Sequence, residues 1–219
     1  MMVPKGTSLW PVLTEYDQEH LTSIALPMGG IGTGTVSLGG RGDLRDWEVM
    51  NRPAKGFVPD NAFFALHAKP AGAPAVTRAI EGVLEPPYEG GCRGSSIPNG
   101  GLPRFRQCRF LTAYPFGQVL LADKDVPLEV RIEAFNPLIP GDSNRSGIPV
   151  VVLRYVLVNR TGKPVSASVC GSFQNFIGYD GKLGSPSKNI NTFRTTKGRS
   201  GVRGVFMSSR GVDPRVSRP

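Results

Sequence analysis

The sequence predicts an all-β fold, a two-sheet antiparallel β-sandwich. Three observations carry this. Short apolar or alternating runs recur along the chain, with turn residues between them. Gly (28) and Pro (20) together exceed a fifth of the 219 residues yet follow no period, which suits many tight turns and excludes collagen-like and low-complexity chains. No stretch of useful length matches a helical template.

The elements follow in chain order. Residues 33–38 alternate Thr33, Thr35 and Ser37 with Gly34, Val36 and Leu38, a strand period. Residues 39–42 (GGRG) make a turn, and residues 44–50 return as a second strand, giving a β-hairpin with a glycine-rich tip. Strands are expected at 62–69 and 76–84, then a long Pro/Gly-rich loop at 86–103. Residues 104–113 read as a strand with Arg104, Arg106 and Arg109 reaching solvent, and 116–122 as a short apolar one. Residues 126–135 alternate most cleanly, with Val126, Leu128, Val130, Ile132 and Ala134 on one side and Glu129, Arg131 and Glu133 on the other. That is a half-buried strand of an antiparallel sheet. Residues 149–159 (PVVVLRYVLVN) are nearly continuously apolar, as in a central strand. A turn at 159–164 leads into alternation at 165–169.

The densest signal is residues 24–51, where seven glycines precede an Asp-Leu-Arg-Asp-Trp-Glu run. Glycine at that density marks backbone that turns sharply or approaches something closely. Two phosphate-binding motifs fail on spacing. Gly30 and Gly32 begin a dinucleotide fingerprint, but position 35 is Thr; starting from Gly32 and Gly34 puts Ser at 37. No Gly-Lys-Ser/Thr occurs for a P-loop.

The run ALPMGGIGTGTVSLGGRGDLRDWEVMNRPAKGF resembles the start of the N-terminal domain of glycoside hydrolase family 116, which includes the non-lysosomal glucosylceramidases and bacterial β-glucosidases. GLPRFR at 101–106, AYPFGQV at 113–119, AFNPLIPGD at 134–142, SGIPVVVLRYVLVN at 146–159 and NFIGYDG at 175–181 continue the likeness in order. The resemblance implies a lead-in at 1–23 and a partial β-sandwich at 24–219. It also implies a partner: a C-terminal (α/α)6 catalytic barrel, which no part of this chain resembles. That barrel holds the family's nucleophilic Glu and acid/base Asp, so no catalytic residue carries over. In that family the loops of the sandwich lie near the active-site mouth. Gly30, Asp43, Arg45, Asp46, Trp47 and Glu48 are therefore expected at that mouth or at the domain interface. The implied substrate is a β-glucoside or glucolipid, with no cofactor and no metal. The alternative is a free-standing β-sandwich module that binds carbohydrate without catalysis.

The residues themselves point the same way. Glycoside hydrolysis needs two carboxyls ~5–5.5 Å or ~6.5–9.5 Å apart. Asp46 and Glu48 share one strand face, about 7 Å apart by the strand rise. Neighbouring Arg41 and Arg45 are expected to keep both ionised, whereas a general acid needs a raised pKa. Ion pairs outnumber catalytic dyads, so Asp43, Arg45, Asp46 and Glu48 read first as an ion-paired hairpin face. Trp47 reads as core packing ahead of a sugar- or barrel-facing ring. His20 and His67 give little support to a triad. Tyr16, Tyr88, Phe105 and Tyr114 are candidates for a sugar-stacking platform, though aromatics in a sandwich are more often core.

The net charge is +9, from 26 Lys+Arg against 17 Asp+Glu. The basic residues are scattered, with the clearest excess after Asn189, where seven Arg or Lys face one acid; no basic helix or run makes a nucleic-acid footprint. Cys92, Cys108 and Cys170 contain no C-x-x-C, so zinc and redox motifs are absent. No signal-peptide h-region or membrane-length apolar run occurs, and a cytoplasmic location is expected. The stretch at 189–214 still resembles the family, so the chain is expected to be a fragment with open sheet edges and exposed apolar surface.

Overall fold

The computed structural model describes residues 13–49, 53–59, 61–84, 101–177, 188–197 and 201–210. The calls for a loop at 86–100, for Tyr88 and Cys92, and for the ends of the chain lie outside them.

Five strands build the first layer. β7 (Gln107–Ala113), β8 (Phe116–Ala122) and β9 (Leu128–Phe135) form an antiparallel meander, flanked by β1 (Thr14–Tyr16) beside β7 and β10 (Val152–Asn159) beside β9. Register places Tyr16, Phe110, Val119, Ile132 and Tyr155 in one row across all five strands. Phe110, Val119 and Ile132 are at most 1% exposed. Burying side chains of that size stabilises by about 1.5–3 kcal/mol each. The alternation expected at 126–135 is realised: Leu128, Val130, Ile132 and Ala134 are buried, while Glu129, Arg131 and Glu133 lie on the other face. There Glu133 pairs with Arg131 at 2.7 Å and Arg154 at 3.3 Å.

The second layer comes in two pieces. One is β2 (Ala25–Met28), β3 (Gly34–Gly39) and β4 (Leu44–Val49); the other is β11 (Val165–Ser172), β5 (Phe63–Pro70) and β6 (Val76–Ala79), in that spatial order. Both close on the first layer through a shared core in which Leu26, Met28, Leu38, Leu66 and Ala68 join Phe105, Phe110, Val119 and Ile132. Phe64 and Tyr155 meet across the layers with ring centroids 5.0 Å apart. All strand ladders are antiparallel, so the all-β sandwich stands.

Three expectations need correction. The strand at 149–159 lies at the end of its sheet rather than at its centre, because an unbroken apolar run does not say which ladder position a strand takes. The strand expected at 76–84 ends at Ala79, after which Gly82 makes a lone parallel bridge to Phe105. Arg104 does not reach solvent: its Nε donates to Glu81 at 3.0 Å, with only 12% of the side chain exposed. Arg41 donates to the same carboxylate at 2.7 Å.

The turn at 159–164 carries the chain from β10 in one layer to β11 in the other, where β11 pairs with β5. β12 (Asn189–Thr195) and β13 (Arg203–Ser209) form a separate two-stranded sheet. Its cross-strand pair Phe193 and Val205 is 69% and 58% exposed. Arg194 lies over the Phe206 ring. No helix among the described residues is long and apolar enough to cross a membrane.

Candidate functional site

The glycine run between β2 and β3 is held from outside its own hairpin. Gly29 donates its amide to Asn136 Oδ1 at 2.7 Å, and Ile31 donates to the Ser146 carbonyl at 2.9 Å. Thr33 returns to the Gly30 carbonyl with both its amide and its hydroxyl. Gly30 must be glycine because an added Cβ would stand 2.5 Å from the Ile148 carbonyl oxygen and 2.7 Å from that of Gly147. Gly32 is required for a different reason, since its φ of +74° is left-handed while the space around it is open. The segment it leans on is a helical turn, Ser143–Ser146, capped by Asp142, whose Oδ1 accepts from the Arg145 amide at 2.9 Å. That amide hydrogen bond, and then the Arg145 guanidinium, hold the Asp142 carboxyl below its usual range.

These contacts leave a cleft of about 340 Å³ beside the run. Its polar side chains are Thr35, Glu48, Tyr114 and Asn136. Asn136 is 7% exposed and organises the wall, donating through Nδ2 to the Pro27 carbonyl at 2.7 Å and to Tyr114 Oη at 3.3 Å.

β4 carries the acids. Thr35 pairs with Glu48 and Ser37 with Arg45, so β4 has one residue more than β3 across that interval. The extra residue is a bulge, and Asp46 takes a left-handed φ of +48° within it. Asp46 Oδ1 accepts from the Gly56 amide at 2.7 Å, and Glu48 Oε1 from the Ala54 amide at 3.2 Å. Lys55 Nζ lies 3.0 Å from Glu48 and 3.7 Å from Asp46. Its hydrogen bond is the main cause that lowers the Glu48 pKa, and Glu48 raises that of Lys55 in turn. Among the described residues the cation serving Asp46 and Glu48 is thus Lys55, not Arg41 or Arg45 as the sequence order suggested, because the bulge re-aims the strand toward the loop at 53–57.

Arg41 and Arg45 serve Asp43 instead, at 3.4 and 3.6 Å. Arg45 also donates to the Thr22 carbonyl at 3.2 Å. Arg41 continues to Glu81 and through it to Arg104, forming a buried charged chain under the β3–β4 turn. Trp47 points elsewhere: its ring lies 6.0 Å from Phe173 and 5.4 Å from Phe176, as expected of packing.

Of the six expected positions, Gly30 and Glu48 therefore line one cleft, and Asp46 shares Lys55 with Glu48. Asp43 and Arg45 belong to the charged chain, and Trp47 to an aromatic cluster. Sequence reasoning missed Asn136, Lys55 and Glu81. For Asn136 a signal existed, an Asn-Pro turn pair closing the cleanest strand. Of the platform aromatics, Phe105 is fully buried, Tyr16 packs on Phe110 with centroids 6.4 Å apart, and Tyr114 is 58% exposed at the cleft. His20 pairs with Asp17 and His67 with Thr77. Among the described residues no three His, Cys, Asp or Glu side chains group as metal ligands.

No curated protein matches this chain. A family model described as beta-glucosidase 2, glycosyl-hydrolase family 116 N-term, matches residues 25–218. That span holds the glycine run, all six expected positions and every strand after β1, and on it the chain belongs to glycoside hydrolase family 116 as its N-terminal domain.

Proposed function

We propose that the chain is the N-terminal β-sandwich of a cytoplasmic β-glucosidase or glucosylceramidase-like hydrolase. It scaffolds the active-site mouth of a C-terminal (α/α)6 catalytic domain that acts on a β-glucoside or glucolipid. Gly30, Asp43, Arg45, Asp46, Trp47 and Glu48 then lie at that mouth or at the domain interface. The observation that carries this reading is the state of the hairpin acids. Asp43 is taken by Arg41 and Arg45, and Asp46 and Glu48 share Lys55. The Glu48 pKa moves down, opposite to what a general acid requires. The chain then supports catalysis without performing it.

The test is hydrolysis of a chromogenic β-glucoside by residues 1–219 alone and with a separately produced family 116 catalytic domain. No turnover alone and faster turnover on mixing are expected. Turnover by 1–219 alone that disappears in Glu48→Gln sinks the reading. One observation favours the second reading, a carbohydrate-binding module: the exposed Tyr114 and the Glu48 carboxylate line the same cleft.

A further inference from the structure

We infer that the cleft at the glycine run binds one neutral sugar ring between Tyr114 and Glu48. This rests on the second reading above and gives it a site. At about 340 Å³ the cleft falls within the size range of small-ligand sites. Its chemistry narrows the ligand. Tyr114 Oη accepts from Asn136, which leaves its own proton to donate. The Glu48 carboxylate accepts, and the Thr35 hydroxyl can do either. Tyr114, 58% exposed at the cleft, adds an aromatic ring. A ligand that donates and accepts at neighbouring positions, and has a C–H face for a ring, is a polyhydroxylated ring. Lys55 at 3.0 Å answers the Glu48 charge, so the pair offers a net counter-charge to neither an anion nor a cation, which favours a neutral ligand. The glycine run admits close approach, since nothing lies within 4 Å of where a Gly32 Cβ would stand.

The test is a cellobiose titration of ¹⁵N-labelled 1–219, followed by amide shifts and calorimetry. Saturable shifts at Gly30, Gly32 and Thr35 are expected. Tyr114→Ala should weaken binding about tenfold, the worth of one aromatic contact. Tyr114→Phe keeps the ring and should weaken it about threefold through the lost hydroxyl donor, which covers the case in which Tyr114→Ala does not fold. Saturable binding with shifts elsewhere, or unchanged in both variants, overturns the site while leaving the carbohydrate-binding reading intact. No saturable binding overturns both. Phosphate shifts at the same amides overturn the neutral class of ligand.

Discussion

Replacing Glu81 by Gln tests whether the charged chain under the β3–β4 turn holds the layers together. Glu81 is 5% exposed and its carboxylate accepts from Arg41 at 2.7 Å and Arg104 at 3.0 Å. Removing one partner of a buried charge group typically destabilises by about 3–5 kcal/mol, because a desolvated charge stays behind. Here the lower figure applies. Arg41 retains Asp43 at 3.4 Å, and the amide of Gln still offers one oxygen. A loss of about 3 kcal/mol is a large part of the roughly 5–15 kcal/mol that holds a domain folded. For a chain of this length it should lower the Tm by roughly 6–12 °C. Thermal melts of both proteins, followed by far-UV circular dichroism at neutral pH, give the comparison. A Tm within 2 °C of the parent (on the order of half a kcal/mol) would show that the two guanidiniums are solvated well enough without Glu81, and the reasoning fails.

Other outcomes follow from single positions. Gly30→Ala should destabilise more than Gly32→Ala: the first drives a Cβ against backbone 2.5 Å away, whereas the second only strains a left-handed residue, about 1–2 kcal/mol; equal Tm shifts would contradict this. Burial alone would raise the Asp123 pKa, yet the Arg106 guanidinium and two backbone amides hold it down to about 2. Its stabilisation is therefore present above the unfolded value of 3.8 and lost as pH falls from about 4 toward 2, amounting to about 1–2 kcal/mol after solvent screening. Denaturant melts between pH 5 and 2 should show Asp123→Asn flatter than the parent, and parallel curves would refute the assignment. Burial pushes the Cys108 thiol up to about 12, while Cys170 is exposed. Iodoacetamide at pH 8 should label Cys170 and spare Cys108 in the folded protein, as read by peptide mass; equal labelling would contradict the buried position.

Strand identity was legible wherever one face is buried and the other wet, as along β9, because side-chain direction has a period of two. Sheet position was not legible for β10, whose outward face carries Val152, Val156 and Val158 around a single charge, Arg154, so the strand reads as an almost unbroken apolar run. The glycine run announced a close approach, but not that the approach is to Gly147 and Ile148, over a hundred residues away. Charge partners were hardest to read. Arg41, Arg45 and Lys55 are all near the acids in sequence, and only the bulge at Asp46 decides which acid each one meets. The cleft joins residues from four separated stretches, so no local pattern could outline it.

The switch of layers after β10 has a consequence for synthesis. The outer edge of β5 is completed only by β11, with Pro70 opposite Val165 and Phe63 opposite Ser172. A ribosome adding about 5–20 residues per second therefore leaves that edge open for roughly 5–20 seconds after β5 has emerged. Phe63 to Pro70 carries only His67, Lys69 and a proline at its last position to discourage pairing with a neighbouring nascent chain. Ribosome-stalled chains ending before residue 165 should accordingly be cut within β5 by protease, and chains extended past residue 172 beyond the exit tunnel should be protected there; early protection of β5 would show that another segment guards the edge first.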